Sequence, residues 1–357
     1  DLAVALRAAA AGSTPAGVLW APPAGITDAA SRALTVTQAV DDSGIGARLW
    51  CLTRGAVQTG ADPAVDVGHA QIWGFGRAAA LDWPQTWGGL IDGPAHWTAR
   101  TRADLGRVLG GDQDQVALRD SGALARRLAR AAALPVTRSS WRPAGTVVVT
   151  GGTGALGAEV AKWLAERGAA HLLLLSRRGP DAPGAAELRA GLIATGTEVT
   201  VAACDVADRA ALAAVLAAVP ADRPITGVVH TAGIDTGHAL DTATPEHVAS
   251  VLRAKVDGAV HLDGLLADVP LDAFVMFSSI AGVWGSGHQA AYSAANAALD
   301  ALVEQRRLRG RTGTAVAWGP WAGTGMAATE EASAFLRRRG LRPMPVTQRD
   351  LDAAARE

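Results

Sequence analysis

The rarest residue types of this chain lie close together in its C-terminal part. The sequence contains one tyrosine, Tyr292, and one asparagine, Asn296, which follows four residues later. Four residues make about one helical turn, so in a helix these two side chains share a face. Ser279 precedes Tyr292 by thirteen residues, at the end of an apolar, strand-like run. Side chains of these types can donate hydrogen bonds or a proton to a substrate oxygen, which makes this region the candidate catalytic site.

A glycine-rich segment predicts a nucleotide site. The apolar run 146–150 leads directly into Gly151-Gly-Thr-Gly-Ala-Leu-Gly157, where a helical pattern begins. Such glycines let the backbone turn tightly and approach a pyrophosphate, whose charge is met by the N-terminus of the helix. The position between a strand and a helix makes this signal specific. The residues predicted to bind the cofactor here are Thr150, Gly151, Gly154, Leu156 and Gly157.

The end of the second strand bears on the choice of cofactor. It reads Ser176-Arg177-Arg178, where NAD sites usually carry an acid for the ribose hydroxyls. Arg177 can instead stack on adenine and pair with a 2′-phosphate, so the sequence predicts NADPH, with Ser176 beside it. The alternative interpretation of Arg177 is a solvated charge at the end of a strand.

The ends of the third and fourth strands should complete the nucleotide site. Asp205 follows the third strand and could accept a hydrogen bond from the adenine amino group, with Val206 next to it. Small residues after the fourth strand would let the adenosine ribose lie close: Thr231, Ala232 and Gly233. His230, taken alone, is more typical of a hydrogen-bonded core histidine than of a functional one.

The segments that must position these residues alternate between strand-like and helix-like patterns. Strands are predicted at 146–150, 171–176, 198–204, 227–230, 273–278 and 314–318, and less clearly at 16–19, 47–53 and 88–92. Helices are predicted between them, for instance at 69–81, 158–167 and 290–309. Buried strands separated by helices indicate an α/β fold with a doubly wound parallel sheet. Residues 135–143 have a proline at either end and are interpreted as a linker, which predicts a division into 1–140 and 141–357.

Composition excludes several classes of function. The formal net charge of −1 gives no reason to expect nucleic acid or an anionic membrane as a partner. No apolar run is long enough to cross a bilayer, and the acidic, Ala-rich start is not a signal peptide. Two cysteines are too few for a disulfide framework and are not spaced as a metal site, which fits a reducing cytoplasm. The chain begins with a helical pattern, where an α/β domain usually begins with a strand, and residues 349–357 begin a helix with nothing after it. We therefore expect a piece of a longer polypeptide.

Together these motifs resemble the ketoreductase domains of modular type I polyketide synthases, within the short-chain dehydrogenase/reductase superfamily. Most members of the superfamily have Lys four residues after the Tyr, where this chain has Asn296. The polyketide ketoreductases show this exchange and take the Lys from an earlier helix, a position that Lys255 matches. The resemblance extends to the N-terminal half, which looks like the family's structural subdomain, a truncated Rossmann-like unit without cofactor. The stretches that carry it are 49–55, 73–77 and 87–92.

The resemblance implies a reaction and roles for four residues. The domain would reduce a β-ketoacyl thioester, carried on the phosphopantetheine arm of an acyl carrier protein, with NADPH. Tyr292 would be the general acid and Ser279 a second hydrogen-bond donor to the carbonyl oxygen. The ammonium of Lys255 would lower the pKa of the phenol, and Asn296 would position Lys255.

The expected partners are the carrier protein and the other domains of the same synthase polypeptide. No metal, nucleic acid or membrane is expected. Residues 322–339 should form a mobile lid over the substrate and the nicotinamide. Within it, the basic run 337–339 is either a carrier-protein contact or a solvated basic face.

The resemblance also implies a stereochemical outcome. Domains that make the D-hydroxyl typically carry Leu-Asp-Asp shortly after the fourth strand, and 233–237 lacks it. Domains that make the L-hydroxyl carry Trp eight residues before the Tyr, where Trp284 stands. Those that also epimerise an α-methyl group tend to have His three residues before the Tyr, where this chain has Gln289 and His288 is one position off. The prediction is an L-β-hydroxyl product without α-epimerisation, the A1 type, whereas the alternative for Trp284 is a core aromatic.

There are two rival functions, of which the first belongs to another class. One is an inactive domain kept as a scaffold in a synthase, which loss of NADPH binding would support. The other is a free-standing dehydrogenase of small alcohols, against which the dedicated N-terminal half argues.

Overall fold

The computed structural model describes residues 1–13, 15–60, 62, 65–130, 141–234, 237–322, 330–338, 341–347 and 350–351. The first part of the chain contains α1 (Leu2–Ala9), β1 (Val18–Trp20), α2 (Ala29–Ser43), β2 (Leu49–Arg54), α3 (Val67–Asp82), β3 (Trp87–Gly93), α4 (Ala99–Leu109), β4 (Gln115–Arg119) and β5 (Gly122–Ala125).

The second part contains β6 (Thr146–Thr150), α5 (Ala155–Glu166), β7 (His171–Ser176), α6 (Ala185–Ala194), β8 (Glu198–Ala203), α7 (Arg209–Ala217), β9 (Ile225–His230), α8 (Pro245–Leu252), α9 (Gly258–Leu265), β10 (Ala273–Ser279), α10 (Ile280–Trp284), α11 (Ala290–Leu308), β11 (Thr314–Trp318) and α12 (Glu330–Arg338). A 3₁₀ turn, Gly179–Asp181, follows β7, and a π-helical turn, Arg253–Asp257, joins α8 to α9.

The chain divides into two compact units that exchange segments. One, here called the structural unit, comprises Asp1–Pro135, Thr236–Leu252 and Ile280–Leu308. The other, the nucleotide unit, comprises Val136–Asp235, Arg253–Ser279 and Arg309–Glu357. The division of the sequence at residues 140 and 141 stays a prediction. The linker predicted at 135–143 lies outside the described residues up to residue 140.

The nucleotide unit is built on a six-stranded parallel sheet in the order β11-β10-β9-β6-β7-β8. The change of direction between β6 and β9 is the topology of a doubly wound Rossmann sheet, which confirms the predicted α/β fold. Its inner strands form because they are mostly apolar runs, such as the fully buried Thr146–Thr150. Helix α5 covers this sheet with Val160, Trp163 and Leu164.

The structural unit holds a five-stranded sheet in the order β1-β2-β3-β4-β5. The first four strands pair in parallel, and β5 returns antiparallel to β4. Sequence reasoning found β1, β2 and β3, but not the short β4 and β5. Strand β5 is largely exposed at the edge of the sheet, so it lacks the apolar signal of a core strand.

Helix α3 is buried over most of its length and packs on α11. Gly74 is the point of closest approach, because a Cβ there would lie 2.3 Å from the carbonyl oxygen of Ser293. The side chain of Asp66 begins α3 by accepting a hydrogen bond from the amide of His69. Within the described ranges, no helix is both long and apolar enough to cross a membrane.

Candidate active site

The glycine loop connects β6 to α5 as predicted. Gly154 is the N-cap of α5, and no side chain caps this end of the helix. A Cβ on Gly157 would lie 2.2 Å from the carbonyl oxygen of Gly151, so this position admits only glycine. The uncapped amide groups and the bare backbone fit a phosphate group at this helix N-terminus.

His230 connects β6, the strand that precedes the glycine loop, to the π-helical turn that carries Lys255. The His230 ring is fully buried, with Nε2 2.9 Å from the carbonyl oxygen of Lys255 and Nδ1 2.7 Å from the hydroxyl of Thr150. A carbonyl can only accept, so Nε2 carries the proton and Nδ1 accepts from Thr150. Burial, together with the positive charge of Lys255, lowers the pKa of His230 to about 4. His230 is therefore neutral and links β6, β9 and the π-helical turn.

Lys255 lies in the π-helical turn, and its side chain is drawn into the protein. The residue is only 4% exposed, and Nζ donates a hydrogen bond of 2.9 Å to the carbonyl oxygen of Phe277. A Cβ on Gly233 would lie 3.4 Å from Nζ, so Gly233 leaves room for the ammonium. The ammonium thus lies at the carboxyl end of β10, the strand that ends with Ser279.

Tyr292 and Asn296 lie one turn apart in α11, as their spacing predicted. Asn296 is completely buried, and its Nδ2 donates a hydrogen bond of 2.8 Å to the carbonyl oxygen of Tyr292. Tyr292 is partly exposed. These two residues belong to the structural unit, whereas Lys255 and Ser279 belong to the nucleotide unit. That Asn296 positions Lys255 stays a prediction.

The predicted adenosine contacts surround the ends of β7, β8 and β9. Arg177 is exposed in the turn after β7, while the hydroxyl of Ser176 accepts a hydrogen bond from the amide of Gly179. Asp205 binds Arg253 at 2.9 Å and accepts from the amide of Ala207. The hydrogen bond from Arg253 holds the pKa of the Asp205 carboxyl below its usual range.

The residues after β9 lie against the end of β6. Val206 is buried, and the hydroxyl of Thr231 donates to the carbonyl oxygen of Thr150 at 2.7 Å. Ala232 and Gly233 follow, and both are small enough to leave the end of the strand open. Both interpretations of Arg177 stay open, because its exposed side chain is compatible with each.

Trp284 ends α10 and is 45% exposed, so it is not a core aromatic. Gln289 is half-buried immediately before α11.

Two predicted segments are only partly described. Of the segment 233–237, residues 235 and 236 lie outside the described residues. The same holds for 323–329 and 339 of the predicted lid. The described Arg337 forms an exposed ion pair with Glu330 at 2.9 Å.

Comparison with known proteins settles the family. A protein-family model described as the KR domain matches residues 145–323, half of the chain, and a model of the Rossmann-fold domain of the polyketide synthase extender module SpnB matches residues 1–128. The chain belongs to the ketoreductase domains of modular polyketide synthases. Such a domain is a β-ketoacyl reductase, and its Rossmann fold binds a nicotinamide cofactor.

The ketoreductase is similar to segments of much longer curated proteins. It is 52% identical to the pikromycin polyketide synthase component PikAIII of Streptomyces venezuelae over 89% of this chain and 21% of that protein. It is 47% identical to the erythronolide synthase EryA3 of Saccharopolyspora erythraea over 92% of this chain and 10% of that protein. The chain thus spans about a fifth of the length of the first and a tenth of the second.

Solved ketoreductase structures share the fold of this domain along its whole length. An A1-type ketoreductase matches with a TM-score of 0.91 and 44% identity, over 99% of this chain and 78% of that one. The first ketoreductase of the tylosin synthase matches with a TM-score of 0.90 and 46% identity, over 100% of this chain and 78% of that one.

One contact in the ketoreductase could not be found from its sequence. His230 was interpreted as a core histidine, and the structure bears this out, but its hydrogen bond to the Lys255 carbonyl also joins it to a residue predicted to be catalytic. The only signal available was its position directly before Thr231, at the end of a strand predicted to bind the cofactor.

Proposed function

We propose that this domain uses NADPH to reduce a carrier-protein-bound β-ketoacyl thioester to the L-β-hydroxyacyl thioester, without α-epimerisation. The observation that carries the proposal is the buried ammonium of Lys255 at the carboxyl end of β10, beside Gly233. Burying an ammonium is costly, so a lysine kept in this position is expected to have a function. Lowering the pKa of a catalytic phenol is such a function.

The protein's own residues would stabilise the charge that develops on the carbonyl oxygen and donate the proton that this oxygen receives. NADPH, when bound, supplies the hydride that forms the new C–H bond at the ketone carbon. The electrons of the carbonyl π bond then move to oxygen, and Tyr292 gives its phenolic proton to that oxygen. Ser279 donates a hydrogen bond to the same oxygen as its charge develops. The positive charge of Lys255 favours the phenolate that remains, which recovers a proton from solvent.

The nucleotide would be held by the ends of the first four strands of the nucleotide unit. The pyrophosphate would lie against Gly151, Gly154 and Gly157, at the N-terminus of α5. Arg177 would pair with the 2′-phosphate, which gives the preference for NADPH over NADH. Asp205 would accept from the adenine amino group.

Trp284 would decide the stereochemical outcome. An exposed indole on one side of the substrate groove biases the side from which the pantetheine arm enters, and that side decides which face of the ketone meets the hydride. Three residues before the tyrosine stands Gln289 and not histidine, so the domain would leave the α-methyl group without epimerisation. The carrier protein and the other domains of the same polypeptide are the proposed partners, in keeping with the multidomain relatives.

The test uses a racemic α-methyl-β-ketoacyl thioester with NADPH, followed by chiral chromatography. The expected product is the L-alcohol, with its α-methyl group in the configuration of the substrate enantiomer that is consumed, which the remaining substrate identifies. Tyr292→Phe is the matched control: it should bind NADPH normally and lose about 10²-fold or more in kcat, because it lacks the proton donor. Mainly D-alcohol, or mainly inverted α-methyl product, would overturn the stereochemical proposal. A parent protein that binds no NADPH would instead support the inactive scaffold.

A further inference from the structure

Two loops of the structural unit that flank the proposed stereocontrol residues contact each other. The 237–243 loop contains the end of the region in which D-type domains carry their signature, and the 285–289 loop lies between Trp284 and α11. The amide of His238 donates a hydrogen bond of 2.8 Å to the carbonyl oxygen of His288. A Cβ on Gly237 would lie 3.2 Å from the same oxygen. The position of one loop therefore depends on the other.

The 285–289 loop has a conformation that needs support. His288 has a φ of 61°, and it is the one non-glycine residue with positive φ in the described part of the chain. This left-handed region is unfavourable for a residue that carries a Cβ. At Gly285, with a φ of 84°, a Cβ would lie 2.4 Å from the carbonyl oxygen of Arg77, so the loop passes directly over α3.

Helix α3 supplies the support for this loop. The carboxylate of Asp82, the last residue of α3, accepts hydrogen bonds from the amide of His288 at 2.9 and 3.1 Å. One turn earlier in the same helix, Arg77 donates to the carbonyl oxygen of Gly282 in α10. Arg126, after β5, donates to the carbonyl oxygen of Val283 at 2.6 Å. The backbone on both sides of Trp284 is thus fixed by the N-terminal part of the chain.

Helix α2 supports the 237–243 loop in the same way. The carboxamide of Gln38 donates to the carbonyl oxygens of Leu240 and Ala243 at 2.8 and 2.9 Å. Neither Gln38 nor Asp82 belongs to the cofactor site or the catalytic tetrad. Both side chains bind backbone atoms of the two loops.

We propose that Gln38 and Asp82 are specificity-determining positioning residues that hold the two loops and so set which face of the ketone is reduced. This inference rests on the proposed function, since it takes the two loops to guide the pantetheine arm. Without Asp82, His288 loses the bonds that compensate its left-handed backbone, and its contact with His238 loosens. Trp284 then samples several orientations, and both faces of the ketone become accessible.

The experiment compares Asp82→Ala, Asp82→Asn, Gln38→Met and the control Asp28→Ala. Asp28 is an exposed acid of the structural unit that pairs with Arg32, and its substitution should leave the product unchanged. With the racemic α-methyl thioester and NADPH, Asp82→Ala should raise the fraction of minor stereoisomers about tenfold, the size expected for one charge-assisted hydrogen bond. Asp82→Asn keeps one acceptor oxygen and should lie between Asp82→Ala and the parent. Gln38→Met should act in the same direction as Asp82→Ala, with an unchanged Kd for NADPH in all variants.

The outcomes separate this inference from the function on which it rests. An unchanged stereoisomer ratio in both Asp82→Ala and Gln38→Met, whether or not kcat falls, would overturn the positioning role. Faster hydrogen exchange in 285–289 without any change in the ratio would do the same, because it would show a merely structural role. A parent that makes D-alcohol would refute the proposed configuration, while the variants would still be judged by their change from that parent. A parent that makes no alcohol would refute the proposed function itself.

Discussion

At the scale of single residues, the chemistry of the site depends on groups that are kept in one protonation state. His230 is held neutral by burial and by the nearby charge of Lys255, and the carboxyl of Asp205 is held ionised by Arg253. In the neutral ring of His230, Nε2 carries the proton and donates it to the carbonyl oxygen of Lys255. This hydrogen bond holds the backbone of Lys255 in place. His230 thereby helps to place Lys255, the residue proposed to lower the pKa of the Tyr292 phenol.

His230 should make the stability of the protein depend on pH. Its pKa falls from 6.5 in the unfolded chain to about 4 in the folded protein, so below pH 6.5 the unfolded state binds the proton first. The stabilisation present above pH 6.5 is therefore lost as the pH falls towards 4, by up to ~3 kcal/mol. His230→Asn should flatten the pH dependence of the free energy of unfolding, measured with urea. The exposed His96→Asn is the control, and an equal slope in both variants would contradict the prediction.

Arg177 should determine the choice between the two nicotinamide cofactors. We expect Arg177→Asp to lose most of the preference for NADPH, because a carboxylate repels the 2′-phosphate and accepts from the free ribose hydroxyls. The measurement is kcat/KM with each cofactor. Arg178→Asp, next to it in the chain, is the control for a change of charge alone. Equal efficiency of the parent with NADPH and NADH would show that Arg177 is the solvated strand-end charge of the alternative interpretation.

At the scale of elements, the strands of the nucleotide unit could be predicted because most of them are apolar runs and the four inner ones are buried. Three of them, Thr146–Thr150, His171–Ser176 and Thr314–Trp318, begin and end where the sequence pattern placed them. The π-helical turn that carries Lys255 could not be predicted, because no local pattern distinguishes it from the helices on either side. The anchors Gln38 and Asp82 were missed as well, since their partners are backbone atoms distant in the sequence.

The contact between α3 and α11 should tolerate no side chain at Gly74. A Cβ there meets the backbone of Ser293 and Ala294, in the turn that follows Tyr292. We expect Gly74→Ala to lower the free energy of unfolding by roughly 1–3 kcal/mol through overpacking, and to lower kcat because α11 shifts. In α4, Gly106 has open space around its Cβ position, and Gly106→Ala should be neutral or stabilise by about 0.5–1 kcal/mol. Equal stability of the two variants in urea denaturation would contradict the prediction.

At the scale of the whole molecule, each unit contains a largely parallel sheet, but the two units differ in their suitability for binding a nucleotide. The glycine loop occurs only after β6, and residues 1–140 have no such loop between a strand and a helix. The structural unit does contain a cavity of about 350 Å³, but its lining includes Asp300 and Glu304, which would repel phosphate groups. Its two arginines, Arg77 and Arg126, already bind carbonyls of α10.

We therefore predict one NADPH per chain. Titration calorimetry of the full chain should give a stoichiometry of one. Gly157→Val should abolish binding because the new side chain collides with the backbone of Gly151 and Gly152 and displaces the glycine loop. Gly106→Ala serves again as the control, since it lies in the structural unit and should bind as the parent does. A second site, or binding that survives in Gly157→Val, would contradict the prediction.

The packing of α3 on α11 has a consequence for synthesis on the ribosome. Helix α3 emerges first, and its partner follows only after roughly two hundred further residues, a delay of about 10–40 s at 5–20 residues per second. During that time the face of α3 around Gly74 has no partner, and the apolar side chains beside it are open to water or to other nascent chains. The N-terminal half thus cannot complete its packing until α11 has been synthesised. The speed of translation therefore determines how long this half is exposed to aggregation.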